Sequence, residues 1–495
     1  SEIKALLAFD PKLRELNLPA LDQSLALRLI APPLTMFRGV EKLPPGHMLV
    51  LERDSTPQIR AYWDLRFAPK LEGSEAQLID ALEERIEEAL RLHLVSDVPV
   101  GAFLSGGLDS SLLVAMLAKR IRVERLPTFT LGLAYKRFDE APFARVVARE
   151  CGTEHHEQTV VPSLVSMLPE LVWHLDEPSD PLSLCAYQVA ELASRHVKVV
   201  IGGDGGDELF GGYDRYAADR WLDAYRLVPA PVRDLVSDHV LHRLPDQFTF
   251  KSLTHKLRWV DQMARKTGGE RYAASMQYFW FNEAHRAELY TPAFRAKLEG
   301  RRPEACLLDL YEAPNATEAV DRMMYVDVMS RLPGQSLMIV DRATMAYSLE
   351  ARSPYLDPRL AEFMARVPVR LKVRGPGKLR HLERRLGERY LPREVLDRKK
   401  QGFASPLMYI MEEEVRSLAP NLLLGSELVR DGYLEGATVR RLVEEHLSRR
   451  RDHGNRIWLL LSAEVWYRTY VGGRSTVDLE TEIAERRPPV LDRVG

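Results

Sequence analysis

Between residues 75 and 201 the spacing of apolar positions switches back and forth between two periods. From Glu75 to Leu94 apolar side chains recur every three to four residues, which predicts a helix. Val98-Pro99-Val100-Gly101-Ala102-Phe103-Leu104 is a short apolar run closed by turn residues and reads as a buried strand, and Leu112, Leu113, Met116 and Leu117 then return to helical spacing. A further strand is expected at Val197–Ile201. Strands alternating with helices predict an α/β fold, a doubly wound parallel sheet with ligands beyond the carboxyl ends of its strands. Before this region, strands are expected near Met48–Glu52 and Ile59–Trp63, and the turn-rich stretch Arg66–Ser74 reads as a linker. Beyond Tyr213 the pattern is mainly helical, ending in a charged, proline-containing tail from Arg474. The expected divisions are 1–64, a linker 65–74, a main domain 75–473 and a tail 474–495.

The loop Ser105-Gly106-Gly107-Leu108-Asp109-Ser110-Ser111 joins the first of these strands to its helix. Unpaired N–H groups and the positive end of the dipole favour an anion at a helix N-terminus. Gly106 and Gly107 allow close backbone approach, while Ser105, Ser110 and Ser111 add hydroxyl donors. Asp109 fits beside bound phosphates only with a divalent cation between, as when Mg²⁺ is held by one or two carboxylates plus phosphate oxygens. The plainer reading is a helix cap, with Asp109 or Ser110 satisfying first-turn amides. No Lys follows the glycines, so this is not a Walker-type loop.

A second strand leads into Gly202-Gly203-Asp204-Gly205-Gly206-Asp207-Glu208-Leu209-Phe210-Gly211-Gly212-Tyr213, where glycines carry the carboxylates Asp204, Asp207 and Glu208. Such a cluster binds a cation or is a solvated turn. It lacks the ligand spacing of an EF-hand.

Ser-Gly-Gly-Leu-Asp-Ser resembles the motif of pyrophosphatase-loop ATP enzymes, which cleave ATP between the α and β phosphates. With the second loop, the chain resembles the synthetase domain of glutamine-hydrolysing asparagine synthetases. The resemblance runs on through Thr128-Phe129-Thr130-Leu131, Cys151–Glu157, Asp176-Glu177-Pro178-Ser179-Asp180-Pro181, Asp341–Ala346, Glu350–Asp357 and Arg456–Trp466. It implies an ATP-pyrophosphatase fold with a helical C-terminal half. It also implies ATP and Mg²⁺ as cofactors, and amidation of L-aspartate to L-asparagine through a β-aspartyl-AMP, with nitrogen from ammonia or glutamine. Leu104, Ser105, Gly106, Gly107, Asp109, Ser110, Ser111, Leu131, Gly202 and Gly203 would then bind ATP and pyrophosphate. Asp109 and Asp207 would hold the metal, Asp204 would face the reacting acyl centre, and Asp180 and Glu208 would approach the substrate. Where well-known members carry Ser and often Glu, this chain has Gly202 and Asp204.

A basic stretch runs from Arg370 to Lys400 and reads either as a solvated face or as a cationic wall for polyphosphate. Lys378, after Gly375-Pro376-Gly377, matches the family lysine that stabilises charge, and Lys400 and Gln401 would lie near substrate. Residues 1–64 resemble the end of an N-terminal-nucleophile glutaminase domain without its cysteine nucleophile, so ammonia would come from solution or another polypeptide. Other carboxylate acceptors and a silent nucleotide-binding protein are the competing readings.

Composition narrows the partners. Among 495 residues, 45% are hydrophobic and 28% charged, with a formal net charge of −2, which favours neither nucleic acid nor a membrane surface. No apolar run approaches the ~20 residues of a membrane span. Cys151, Cys185 and Cys306 show no CxxC spacing, which suits a reducing, cytoplasmic setting. Adjacent His155 and His156 would point to opposite faces of a strand, against a shared metal. A homodimer is the commonest arrangement for soluble oligomers, but the sequence leaves the oligomeric state open.

Overall fold

Five parallel strands carry the loops singled out above. The computed structural model describes residues 2–133, 139–160, 165–178, 180–239, 241, 244, 248, 252–313, 315–398 and 412–485. After a small antiparallel hairpin of β1 (His47–Val50) and β2 (Gln58–Ala61), the sheet is built from β3 (Val100–Phe103), β4 (Pro127–Leu133), β5 (Glu154–Val160), β6 (Val199–Ile201) and β7 (Glu350–Arg352). Its spatial order is β5-β4-β3-β6-β7. Ala102 pairs with Thr128 on one side, and Val100 with Val199 on the other.

Successive side chains leave a strand on opposite faces, and here both faces are covered. Ile201 joins Ala102 and Leu104 in a core shared with α4 (Leu108–Met116) and α5 (Ala141–Cys151), represented by Leu112, Leu113, Ala144 and Val147. The neighbouring Val200 faces the other way and packs with Phe129 against Ala190 and Ala193 of α7 (Pro181–Ser194), which follows α6 (Leu168–Leu175). This is the parallel α/β sheet the sequence predicts.

The expected helix near residue 75 is α3 (Glu75–His93), opened by a capping box between Ser74 and Gln77, with Leu78, Leu82, Ile86 and Leu90 four residues apart on its buried side. The hairpin strands fall one to two residues earlier than their apolar pattern suggests. They pair only with each other, leaving Met48, Leu49, Leu51, Ile59 and Tyr62 exposed. Upstream, α1 (Ile3–Phe9) and α2 (Leu18–Leu27) send Leu7, Leu21 and Leu25, with Phe37, into one core with Leu168 and with Trp458 and Trp466 of the helix Gly454–Tyr470.

The linker stretch is strapped down rather than solvated. Leu65 and Phe67 are fully buried, and the Phe67 N–H donates to the Asn315 carbonyl at 3.0 Å. Lys70 and the buried Lys372 both pair with the buried Asp321. Among the described residues the cysteines are free and no helix is long and apolar enough to cross a membrane.

Candidate active site

β3 and β6 are neighbours, yet the chain leaves them in opposite directions, from β3 towards β4 and from β6 towards β7. In a doubly wound sheet such a reversal opens a crevice beyond the strand ends. Both glycine loops start there.

The first loop enters α4 through Gly107, and among the described residues no side chain caps this helix. Its first-turn amides are therefore left for a ligand, which overturns the cap reading of Asp109 or Ser110. The Ser105 N–H donates to Ser110 Oγ at 3.1 Å, the Gly107 N–H donates to Ser105 Oγ at 3.2 Å, and the two hydroxyls lie 3.0 Å apart. Ser111 is fully buried, its hydroxyl without a partner among the described residues. Gly106 has φ +69°, and a Cβ there would stand 2.6 Å from the Ala144 nitrogen, so the loop tolerates no other residue at this turn. Leu104 ties this strand to the next, its N–H donating to the Phe129 carbonyl at 2.9 Å and its carbonyl accepting from the Thr130 hydroxyl. Leu131 is buried on β4.

The second loop lies on the first. The Cβ position of Gly203 is 3.1 Å from the Ser110 nitrogen and 3.2 Å from Asp109 Cβ, while the Gly202 N–H donates to the Arg352 carbonyl at 2.8 Å. α8 (Gly206–Phe210) then sets Asp207 across from Asp109. A Cβ on Gly206 would collide with Asp109 Oδ1, and one on Gly212 with Asp207 Oδ1. Those glycines make room for the carboxylates.

Among the described residues, Arg380 is the cation that faces this group. Arg380 Nη1 is 2.5 Å from Asp109 Oδ2 and 3.7 Å from Asp207 Oδ1, and Arg380 Nε is 3.9 Å from Glu383 Oε2. The Tyr355 hydroxyl donates to the Asp109 carbonyl at 3.1 Å and to Glu383 Oε1 at 3.4 Å. Burial, and next the charge of Asp109, hold Glu383 well above the ordinary carboxylate range. Burial likewise pushes Asp204 up to about 6, with Asp109 adding to it, and Glu208 up to about 7 against the pull of Arg331. Asp109 Oδ1 and Glu383 Oε2 are buried with no hydrogen-bond donor among the described residues. No group of three or more His, Cys, Asp and Glu side chains is placed to hold a metal by itself among the described residues, so the orphaned Asp109 Oδ1 with Asp207 fits a divalent cation held by one or two carboxylates plus phosphate oxygens.

The cation found here is not Lys378. That side chain is exposed, on a turn whose backbone pairs with Gly375, and it forms no ion pair among the described residues. The inward-facing Arg380 comes two residues later in a left-handed backbone conformation, φ 53°, at the start of the helix His381–Gly387. Sequence reasoning missed Arg380, Glu383 and Tyr355. The available signal was an Arg and a Glu three residues apart at the start of a helix. Lys400 and Gln401 lie outside the described residues.

The acidic loop after α6 is organised differently. Asp176 accepts the Ile3 N–H at 2.7 Å and pairs with Lys4 at 3.0 Å and Arg342 at 2.8 Å. Glu177 pairs with Lys42, and Asp180 with Arg28 at 2.8 Å. Asp180 also caps α7 through the Leu182 N–H and accepts from Gln335 Nε2, both at 2.7 Å. Each carboxylate of this loop thus takes a cation from the first 42 residues. His155 Nδ1 meets the Thr128 hydroxyl at 3.0 Å and His156 stacks on His196 at 3.8 Å, and no metal-holding group of His, Cys, Asp and Glu occurs among the described residues.

The Asparagine synthase family matches residues 81–468. The chain is 30% identical to asparagine synthetase [glutamine-hydrolyzing] 1 of Bacillus subtilis, over 94% of its own length and 71% of that protein's. It is 26% identical to asparagine synthetase [glutamine-hydrolyzing] 3 of the same organism, covering 81% and 60%, and 26% identical to the amidase chry2 of Gibberella zeae, covering 82% and 64%. With its sheet, its paired loops and a family match over most of its length, the chain belongs to the asparagine synthase family.

Proposed function

We propose that the chain is an ATP-dependent carbon–nitrogen ligase that converts L-aspartate to L-asparagine. A side-chain carboxylate oxygen of aspartate attacks the α-phosphorus of ATP and pyrophosphate leaves, giving β-aspartyl-AMP. Ammonia then attacks the acyl carbon and AMP departs with the bridging oxygen. The observation that carries this reading is Asp109 facing Asp207 across the uncapped start of α4.

Asp109 and Asp207 would hold Mg²⁺, which when bound neutralises charge on the polyphosphate. The amides after Gly107 and the hydroxyls of Ser105, Ser110 and Ser111 hold the leaving pyrophosphate. Arg380, rather than Lys378, supplies the fixed positive charge beside it, and such preorganised charge usually provides the largest share of rate enhancement. Asp204, with its carboxyl pushed up to about 6, stands ready to take a proton from the attacking ammonia. Nitrogen comes as ammonia, from solution or from glutamine hydrolysed elsewhere. The amidase-named relative favours one second reading, a different carboxylate acceptor on the same site.

The test is pyrophosphate release from Mg-ATP with L-aspartate, with ammonium in one reaction and glutamine in another. Release with matching asparagine formation when ammonium is present is the expected result. ATP binding without release would overturn aspartate as the acceptor.

A further inference from the structure

Arg28, Arg215, Arg331 and Arg380 are partly or fully buried arginines with charges or rings of the second glycine loop in their field, and three have a carboxylate of their own. Arg28 pairs with Asp180 at 2.8 Å, Arg215 with Asp327 at 2.5 Å, and Arg380 with Asp109 at 2.5 Å. Arg331 has none within 4.0 Å among the described residues. Its Nε donates to Gln335 Oε1 at 3.0 Å, and its Nη1 is buried with no hydrogen-bond partner among the described residues. A buried charge-bearing N–H left unpaired is costly and calls for an explanation.

The surroundings point to a ligand. The Arg331 guanidinium lies 4.4 Å from the centroid of the Tyr213 ring, which Arg215 also approaches at 4.1 Å. The Tyr213 hydroxyl donates to Glu208 Oε1 at 2.6 Å, and Glu208 directly follows Asp207. Arg331 therefore stands one aromatic ring away from the loop that bears the reacting groups. Its backbone belongs to a π-helical stretch, Asp327–Ser336, that includes Pro333. Such stretches are rare and concentrate at functional sites. Four-residue spacing in it brings Asp327, Arg331 and Gln335 to one side, the first occupied by Arg215 and the last by Asp180. The middle position is the one left without an anion. The carboxyl groups in its field are Asp327, which pairs with Arg215, and Glu208, which accepts the Tyr213 hydroxyl.

We propose that Arg331, braced on Tyr213 and Gln335, is a specificity-determining residue that binds a second carboxylate of the acceptor, the one not amidated. The acceptor class is then a short dicarboxylate, and for L-aspartate the group bound is its α-carboxylate. This rests on the amidation reading above, so its test is arranged to separate the two.

Arg331→Met and Arg331→Lys are compared with the unaltered protein in pyrophosphate release with L-aspartate and with β-alanine, which is aspartate without its α-carboxylate. The preference for aspartate, as a ratio of kcat/KM values, should fall about 100-fold in Arg331→Met and less in Arg331→Lys, which keeps charge but not the fork. Mg-ATP affinity by calorimetry should stay within about twofold. An unchanged preference overturns the proposal, as does a parallel loss of Mg-ATP affinity, which would place Arg331 on the nucleotide. If neither acceptor supports release, the amidation reading fails, and the subsite is read by titrating L-aspartate, succinate and β-alanine directly. Tighter binding of the two dicarboxylates that Arg331→Met abolishes upholds the subsite, and equal binding of all three sinks it. Circular dichroism of each variant guards against misfolding, and Arg331→Lys carries the test if Arg331→Met does not fold.

Discussion

Two acidic regions of this protein have similar composition and opposite electrostatics. At the glycine loops, Asp109, Asp207 and Glu383 share one guanidinium, and two of their oxygens are buried without a donor. In the loop after α6, Asp176, Glu177 and Asp180 each have a cation from the N-terminal segment, and Asp176 has Arg342 as well. Among the described residues, the first region shows fewer cations than carboxyl groups and the second shows a cation for each. Burying a charge is expensive unless it is paired, so a pocket kept short of counter-charge needs a ligand, whereas a neutralised one holds structure. Arg331 is the mirror case, a cation without its anion.

The largest effect should come from removing a carboxylate where charge is uncompensated. Asp109→Asn keeps the shape of the loop and one like charge fewer remains beside Asp207 and Glu383. Pyrophosphate release should fall about 10³-fold or more, equivalent to about 4 kcal/mol of transition-state stabilisation. The thermal midpoint should change little, since relief of the repulsion from Asp207 offsets loss of the Arg380–Asp109 pair and Arg380 keeps Asp207 at 3.7 Å. A rate within tenfold of the parent would show that these carboxylates do not hold the metal.

The same change in the neutralised loop should do the reverse. Asp176→Asn strips the partner from Lys4 and Arg342 in a fully buried place, at a cost of about 3 kcal/mol. Denaturant midpoints should drop accordingly, while activity per folded molecule stays within about threefold. A collapse of activity with unchanged stability would move this loop into the active site and erase the distinction.

What could be read from the sequence follows the same division. The two glycine loops were legible because strand, turn and helix are local patterns, and their carboxylates sit within a few residues of the glycines that make room for them. The counter-charges of the acidic loop, Lys4, Lys42 and Arg28, were not legible because they lie far upstream and no local pattern links them. Arg380 was hidden in a run of basic residues where the Gly-Pro-Gly turn drew attention to Lys378. What selects Arg380 is one left-handed residue at a helix start, which turns its side chain inward, and composition carries no trace of that. The π-helical stretch around Arg331 had only Pro333 to mark it. In the linker stretch, Leu65 and Phe67 are buried anchors that the turn-rich composition around them does not mark.

The smallest and sharpest test removes Arg380. Arg380 pulls on Asp109 from 2.5 Å and on Asp207 from 3.7 Å, so it competes directly with any divalent cation at those oxygens. At such distances even a screened interaction is worth on the order of 1 kcal/mol or more, which sets the scale of the competition. Arg380→Met should therefore bind Mn²⁺ about tenfold tighter than the parent when titrated by electron paramagnetic resonance without nucleotide. Asp176→Asn, remote from these carboxylates, should leave that titration unchanged. Weaker Mn²⁺ binding in Arg380→Met would mean that the guanidinium organises the carboxylates rather than occupying them, and the shortage of charge would then lie with Glu383. In that case Glu383→Gln, which replaces the third carboxyl group but keeps an oxygen for the Tyr355 hydroxyl, becomes the variant whose Mn²⁺ affinity falls.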